Sequence, residues 1–284
     1  MNAKVNVVDK NVLKELEEKL GIKLNRDNMR KLGLLAKEKG YLTNAGVLFL
    51  CKNPSAFIPG AKVRIIKVRR ELEEYEILAD LDMPIWKLAE KAFKVVKEEF
   101  GYILEYKGGL KHKIMQKIPE VALREAIINA LIHKNYYLPA EILIFIEKDK
   151  IEIKNAGGFP PGVTPKKPEH VARNPIICDL FFRMGFIEKF GSGIIRMKQD
   201  CLNKGLKAPE IETDGFTVVR LWLRVEKLED RILEILSKGS YSSGEIAAAV
   251  KKSKPTVLKI LKKLEKEGKI KSAGKGRYRK FYLA

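Results

Sequence analysis

Little cysteine, little glutamine and no long apolar run mark this sequence, and each shortage excludes a class of protein. Three cysteines, Cys51, Cys178 and Cys201, are odd in number, widely spaced and without a C-x-x-C pair. Neither a disulfide framework nor a zinc site is indicated, and the thiols are expected to be reduced. No apolar run approaches a membrane span, and the opening MNAKVNVVDKNVLKELEEK is too charged for a signal peptide. A cytoplasmic protein with no membrane partner is expected. Glutamine occurs only at Gln116 and Gln199, beside abundant Lys, Glu and Ile, a composition that suggests a heat-adapted source. No P-loop of the form G-x-x-x-x-G-K-[ST] is present, so helicase-type unwinding is not expected. What is present suits a packed core: 284 residues, 45% hydrophobic and free of low-complexity tracts, are enough for two domains or three.

Positive charge is most concentrated at the C-terminal end. The net charge is +20, and residues 251–284 hold thirteen Lys and Arg against Glu265 and Glu267 alone. More than half of the excess thus sits on one short segment, the electrostatic footprint of nucleic-acid binding. Leu228 to Ser237 reads as a helix with Ile232, Leu233, Ile235 and Leu236 on its apolar face. Ser242 or Ser243 can cap a second helix, with Glu245 near the place of a capping partner. Ser253 can cap a third, with Pro255 in its first turn, Val257, Leu258, Ile260, Leu261 and Leu264 as apolar positions, and Gly268 at its end. A hairpin follows, with basic residues near its tip. Three helices and a terminal hairpin resemble a winged helix-turn-helix domain. The resemblance puts the third helix in the major groove of double-stranded DNA, with Lys254, Thr256 and Lys259 facing the groove. It puts Lys275, Arg277 and Arg279 in the wing, tracking phosphate. A winged helix used only for protein contact is the alternative.

The middle of the chain carries the second signal. In REAIINALIHKNY, Glu125, Asn129 and His133 recur every four residues and form one polar ridge on an otherwise apolar helix. An Asn129 amide oxygen can ligate Mg²⁺, and a Glu125 carboxylate can orient or deprotonate the water that attacks a terminal phosphate. At His133 a structural hydrogen bond and a ligand contact both fit. Two strand-like runs, 141–146 and 151–158, end at Asn155-Ala156-Gly157-Gly158, where glycine lets backbone approach a ligand closely. Phe190-Gly191-Ser192-Gly193 then opens a helix whose free N–H groups suit phosphate. An ordinary turn at the glycine pair is the plainer reading. His112 and His170 have no supporting pattern, which argues against a histidine kinase.

These phrases in this order, REAIINALIHKNY, IEIKNAGGFPPGV, ARNPII and IEKFGSGIIRM, resemble the divergent GHKL (Bergerat) ATP-binding domain often labelled RecG C-terminal-like. The resemblance implies ATP and Mg²⁺ as cofactors, with Asn129 holding the metal and Glu125 as the water-activating base. It puts Asn155 at the adenine amine, where the family usually has Asp, and Gly157, Gly158, Gly191 and Gly193 around the nucleotide and its lid; His133, on the α-helical ridge, is a further candidate nucleotide contact. Replacing Asp by Asn removes the charge-assisted part of that bond, so binding with little or no turnover is open.

Upstream, Leu42–Leu50, Asn53-Pro54 and Ala61–Ile66 look like the C-terminal part of a Schlafen-type AlbA-like domain, which commonly precedes this ATPase module in transcriptional regulators. Pro84 to Phe100 reads as an amphipathic helix. The expected class is α+β: a partial AlbA-like domain over residues 1–83, a GHKL-type α/β sandwich with a mixed sheet over 84–225, and a winged helix over 226–284. The expected function is an ATP-binding, DNA-binding transcriptional regulator acting as a homodimer. A weak Mg-dependent ATPase stimulated by DNA in repair or remodelling is the alternative, as is a nucleotide-free scaffold for protein partners.

Overall fold

A short unbroken apolar run, ILIFI, and the alternation of apolar and polar residues in KIEIKNA are both patterns of strands with a covered face. In a computed structural model of the chain these become β5 (Ile142–Ile146) and β6 (Lys150–Ala156), an antiparallel pair with Ile144 opposite Ile153. The structure describes residues 3–37, 40–70, 74–100, 103–106, 112–115, 118–160, 162–165, 171–188, 191–223, 228–274 and 276–284. They divide into two compact units, Met1–Arg224 and Val225–Ala284.

The first unit begins with helices α1 (Lys10–Leu20), α2 (Arg26–Lys31) and α3 (Asn44–Leu50), followed by β1 (Val63–Arg70), β2 (Glu74–Leu81) and α4 (Ile85–Phe100). A short antiparallel pair, β3 (Ile103–Tyr106) and β4 (His112–Met115), leads to α5 (Glu120–His133). After β5 and β6 come α6 (Pro175–Arg183), α7 (Gly193–Asn203), β7 (Glu210–Asp214) and β8 (Phe216–Trp222). Six strands form one mixed sheet in the order β2-β1-β5-β6-β8-β7, parallel only between β1 and β5.

That sheet crosses the division expected after Met83. β1 lies inside it, with Ile65 opposite Ile144, so the N-terminal strands and the strands of the ATPase-like segment share one hydrogen-bonded surface. The cores are continuous too. Phe49 of α3 meets Phe181 of α6 edge to face at 5.9 Å, and the Trp86 indole N–H donates to the Phe49 carbonyl at 3.3 Å. Residues 1–83 therefore do not stand apart as a separate compact unit.

α4 and α5 pack against the sheet and α7 lies alongside α5. α5 is apolar nearly all round, with Ala122, Leu123, Ala126, Ile127, Ile128, Ala130, Leu131 and Ile132 buried, as expected of a helix enclosed on several sides. Asp200 of α7 accepts the Ala122 N–H at its N-terminal end, and Asn174 donates to the Ile132 and Lys134 carbonyls at its C-terminal end. Both ends of the helix are thereby satisfied by side chains distant in sequence.

The second unit holds α8 (Leu228–Leu236), β9 (Tyr241–Ser242), α9 (Ser243–Val250), α10 (Lys254–Lys266), β10 (Ile270–Ala273) and β11 (Lys280–Leu283). Its own core contains Ile232, Leu236, Ile246, Val250, Val257, Leu261, Leu264, Ile270 and Phe281. The capping box is present: the Glu245 N–H donates to Ser242 Oγ at 3.3 Å, and the Ser242 N–H donates to Glu245 Oε2 at 2.7 Å. A third strand, β9, joins the hairpin to give the order β10-β11-β9, which local pattern did not reveal.

Candidate functional site

The polar ridge of α5 faces a cavity of about 130 Å³ between that helix, the end of β6 and the start of α7. Glu125, Asn129, His133, Asn155, Gly158, Gly191 and Gly193 all line it, although they come from three separate stretches of chain. Gly157 stands just off the wall. Its φ of 108° suits glycine, and its carbonyl accepts from Thr217 Oγ1 at 2.7 Å.

Gly193 is required for closeness rather than for backbone freedom. A Cβ there would stand 2.9 Å from Glu125 Oε2 and 3.4 Å from Asn129 Nδ2. The first turn of α7 is therefore pressed against the two residues that the ridge presents. Ser192, the N-cap of α7, makes no side-chain cap, and its buried Oγ has no hydrogen-bond partner. An orphaned hydroxyl and an uncapped helix start on a cavity wall fit an anionic ligand.

Register places the opposite wall. Asn155 is 3% exposed and sits directly across from Thr217 of β8, so both side chains project to the covered face of the sheet. The Asn155 amide donates only a long bond, 3.4 Å, to the Ala156 carbonyl, leaving the group oriented at the cavity floor with little to hold it.

Glu125 is the deeply buried charged group of the cavity lining. Its carboxylate is almost fully buried, with Oε1 3.1 Å from Arg196 Nη2 and 3.2 Å from Arg124 Nη1. Burial pushes the carboxyl above its ordinary value; Arg196 and then Arg124 pull it down, and nearby Glu188 adds to the rise. Arg196 is shared, with Nη1 2.7 Å from Glu188 Oε1, while its Nε is buried without a partner.

Arg196, Glu188, Arg173, Ser192 and Thr217 were not read from the sequence as site residues. Arg196 lies within GSGIIRM, three positions after Gly193, so helical spacing from the glycine was an available signal. Thr217 had none, because only the β6–β8 register reveals it. Among the described residues no group of three or more His, Cys, Asp and Glu could hold a metal ion. Asn129 offers a single amide oxygen at the cavity wall, a donor of the kind Mg²⁺ accepts beside phosphate oxygens and water.

In the second unit Lys254, Thr256 and Lys259 are exposed on α10, and Lys262 and Lys266 extend the same basic surface. Thr256 Oγ1 is 2.8 Å from Ser253 Oγ, so its hydroxyl already has one partner. In the wing, Lys275 and the side chain of Arg277 lie outside the described residues. Arg279 is not a free phosphate contact: its Nη2 donates to both oxygens of Glu265, at 2.9 and 2.8 Å, and its Nε donates to Ser272 Oγ. A planar guanidinium beside a carboxylate on the neighbouring helix forms the intramolecular pair instead.

Comparison with known proteins agrees with this division. Residues 140–221 match the family described as "Putative ATP-dependent DNA helicase recG C-terminal", and residues 231–272 match "Bacterial regulatory protein, arsR family". The first match begins after α5, so Glu125, Asn129 and His133 stand outside it. No curated protein matches the chain. Among solved structures, the DIP2311 protein from Corynebacterium diphtheriae superposes with a TM-score of 0.59 at 22% identity, covering 99% of this chain and 62% of that one. The chain spans about three-fifths of that protein's length, and the likeness is one of fold. Among the described residues no helix is long and apolar enough to cross a membrane. The chain is an α+β protein with one segment similar to the RecG C-terminal family and, after it, one similar to the ArsR-type helix-turn-helix family.

Proposed function

We propose that the protein is a cytoplasmic transcriptional regulator that binds ATP in the first unit and double-stranded DNA through α10, and that nucleotide modulates DNA binding. The observation that carries this reading is the convergence of Glu125, Asn129, Asn155 and the glycine turn before α7 on one cavity, in a chain that also matches a helix-turn-helix family.

In this reading the adenine amine is accepted by Asn155 on the sheet side, beside Thr217. The phosphates lie toward Ser192, Gly193 and the start of α7. Asn129 would hold Mg²⁺ through its amide oxygen, and that ion, when bound, neutralises phosphate charge. Glu125 is the group positioned to accept a proton from an attacking water. Its contacts with Arg124 and Arg196 oppose that role, so turnover is expected to be slow. Nucleotide would touch both Asn155 and Ser192, and so bears on the chain between them. DNA control then requires that nucleotide favour one of two arrangements, most simply in a homodimer.

The test is DNA affinity of the full chain with and without saturating ATP and Mg²⁺, with Asn129→Ala as control. A change seen in wild type and lost in Asn129→Ala supports regulation by nucleotide. Equal DNA affinity in every condition would overturn it. Phosphate release that DNA accelerates would favour the ATPase alternative.

A further inference from the structure

Among the described residues lining the cavity, Arg196 is the arginine that is bound to two carboxylates and still has an unsatisfied donor. Its Nη2 reaches buried Glu125 at 3.1 Å, its Nη1 reaches exposed Glu188 at 2.7 Å, and its Nε is buried without a partner. It projects from the first turn of α7, after Gly193, where a Cβ would stand 2.9 Å from Glu125 Oε2. A fork of five N–H groups matches phosphate in plane and charge, and one of them is already idle.

We propose that Arg196 is the phosphate-recognising and positioning residue of this cavity. Without nucleotide its guanidinium is divided between Glu125 and Glu188. The terminal phosphate of a nucleoside triphosphate draws it away, completing its hydrogen bonds and releasing Glu125. This rests on the nucleotide reading and deepens it by naming what distinguishes triphosphate from shorter ligands. Exchange is feasible because a dianionic phosphate offers more charge and more acceptor oxygens than either carboxylate. Glu188 acts as a competitor at the solvent edge and Glu125 as the group under restraint. α7 would thereby register the length of the phosphate chain.

The experiment is calorimetric titration of the full chain with ATP, ADP and adenosine in Mg²⁺, using wild type, Arg196→Gln, Arg196→Lys and Glu188→Gln. Arg196→Gln is expected to weaken ATP by roughly tenfold or more, the value of a charge-assisted hydrogen bond, and to leave adenosine nearly unchanged. Arg196→Lys should recover part of the loss, since charge returns without the fork. Glu188→Gln should tighten ATP relative to adenosine by removing the competitor. If wild type binds all three ligands and Arg196→Gln keeps its ATP-to-adenosine ratio, the proposal is overturned while the nucleotide site stands. A uniform loss for all ligands, with a lowered unfolding temperature, would make Arg196 merely structural. Should Arg196→Gln fail to fold, an unchanged ratio in Glu188→Gln overturns the proposal. Failure of wild type to bind any of the three overturns both readings.

Discussion

The two units treat charge in opposite ways. In the first, ionic groups are gathered against one another: Arg220 lies 2.6 Å from both Glu152 and Glu212, and Glu125 sits buried between Arg124 and Arg196. In the second, α10 directs Lys254, Lys259, Lys262 and Lys266 to solvent, and no ion pair links them to described residues. Among the described lysines of that helix only Lys263 is paired, 2.8 Å from Glu229, while its Glu265 holds Arg279. Paired charges fix geometry and shape a site, whereas unpaired ones of a single sign attract a polyanion. The contrast suits the proposed division of labour, a small anion for the first unit and a long one for the second.

The largest expected effect breaks the first half of the comparison. Gly193→Val would place side-chain atoms where Glu125 Oε2 stands 2.9 Å from a Cβ position, so the carboxylate and α7 must separate. Nucleotide binding should fall by roughly a hundredfold, the scale at which a misplacement of about 1 Å acts, while DNA binding in the absence of nucleotide is retained. Titration of both ligands against the variant checks this.

The next prediction breaks the second half. Replacing Lys254, Lys259 and Lys262 together by alanine should weaken DNA uniformly across sequences and make the slope of log K against log salt shallower by about three, since each phosphate contact contributes about 0.9. Binding isotherms at several salt concentrations measure the slope. Arg279→Gln, by contrast, should change DNA affinity little and instead lower the stability of the second unit, because that side chain is held by Glu265 and Ser272. The effect should stay below about 1 kcal/mol, since both partners are partly solvated.

A third prediction concerns a buried cation with no carboxylate. Lys134 is fully enclosed, and its Nζ donates to the Asn135 and Leu138 carbonyls and lies 4.9 Å from the Tyr136 ring centroid. Burial lowers its pKa from 10.5 to about 8. Between those values the unfolded chain binds a proton that the folded one has released, so stability rises with pH in that window. Lys134→Met should lose roughly 2 kcal/mol at neutral pH through two stranded carbonyls, and should show no such rise. Denaturant melts at pH 7 and pH 10 separate the two behaviours.

A comparably small effect sharpens how local the second unit is. Ser242→Ala removes the capping box and should cost about 1 kcal/mol, with no consequence for the nucleotide cavity. Thermal melts of the variant with and without ATP provide the check.

Legibility divided along the same line. The winged-helix unit is written in short-range signals, namely Ser242 with Glu245, Pro255 in the first turn of α10 and Gly268 after it. Its helices could therefore be placed from sequence, while β9 could not, because it exists only by pairing with β11. In the first unit the i, i+4 ridge and the glycine turns were legible for the same reason. The rest of the cavity was not. Arg196 reaches Glu125 only because α7 docks along α5, and Thr217 meets Asn155 only through a sheet register set by the whole strand. The N-terminal segment was hardest, since β1 finds its parallel partner β5 across α4 and α5, and nothing local to either strand specifies that pairing.

The measurement that bears most directly on the whole is calorimetric titration of ATP with Mg²⁺ into wild type and Asn129→Ala. Saturable binding to wild type, weakened at least tenfold in Asn129→Ala, is expected if the amide oxygen holds the metal beside the phosphates. No heat of binding to a folded wild type that still binds DNA would contradict the nucleotide site, and with it the proposed control of DNA binding by nucleotide.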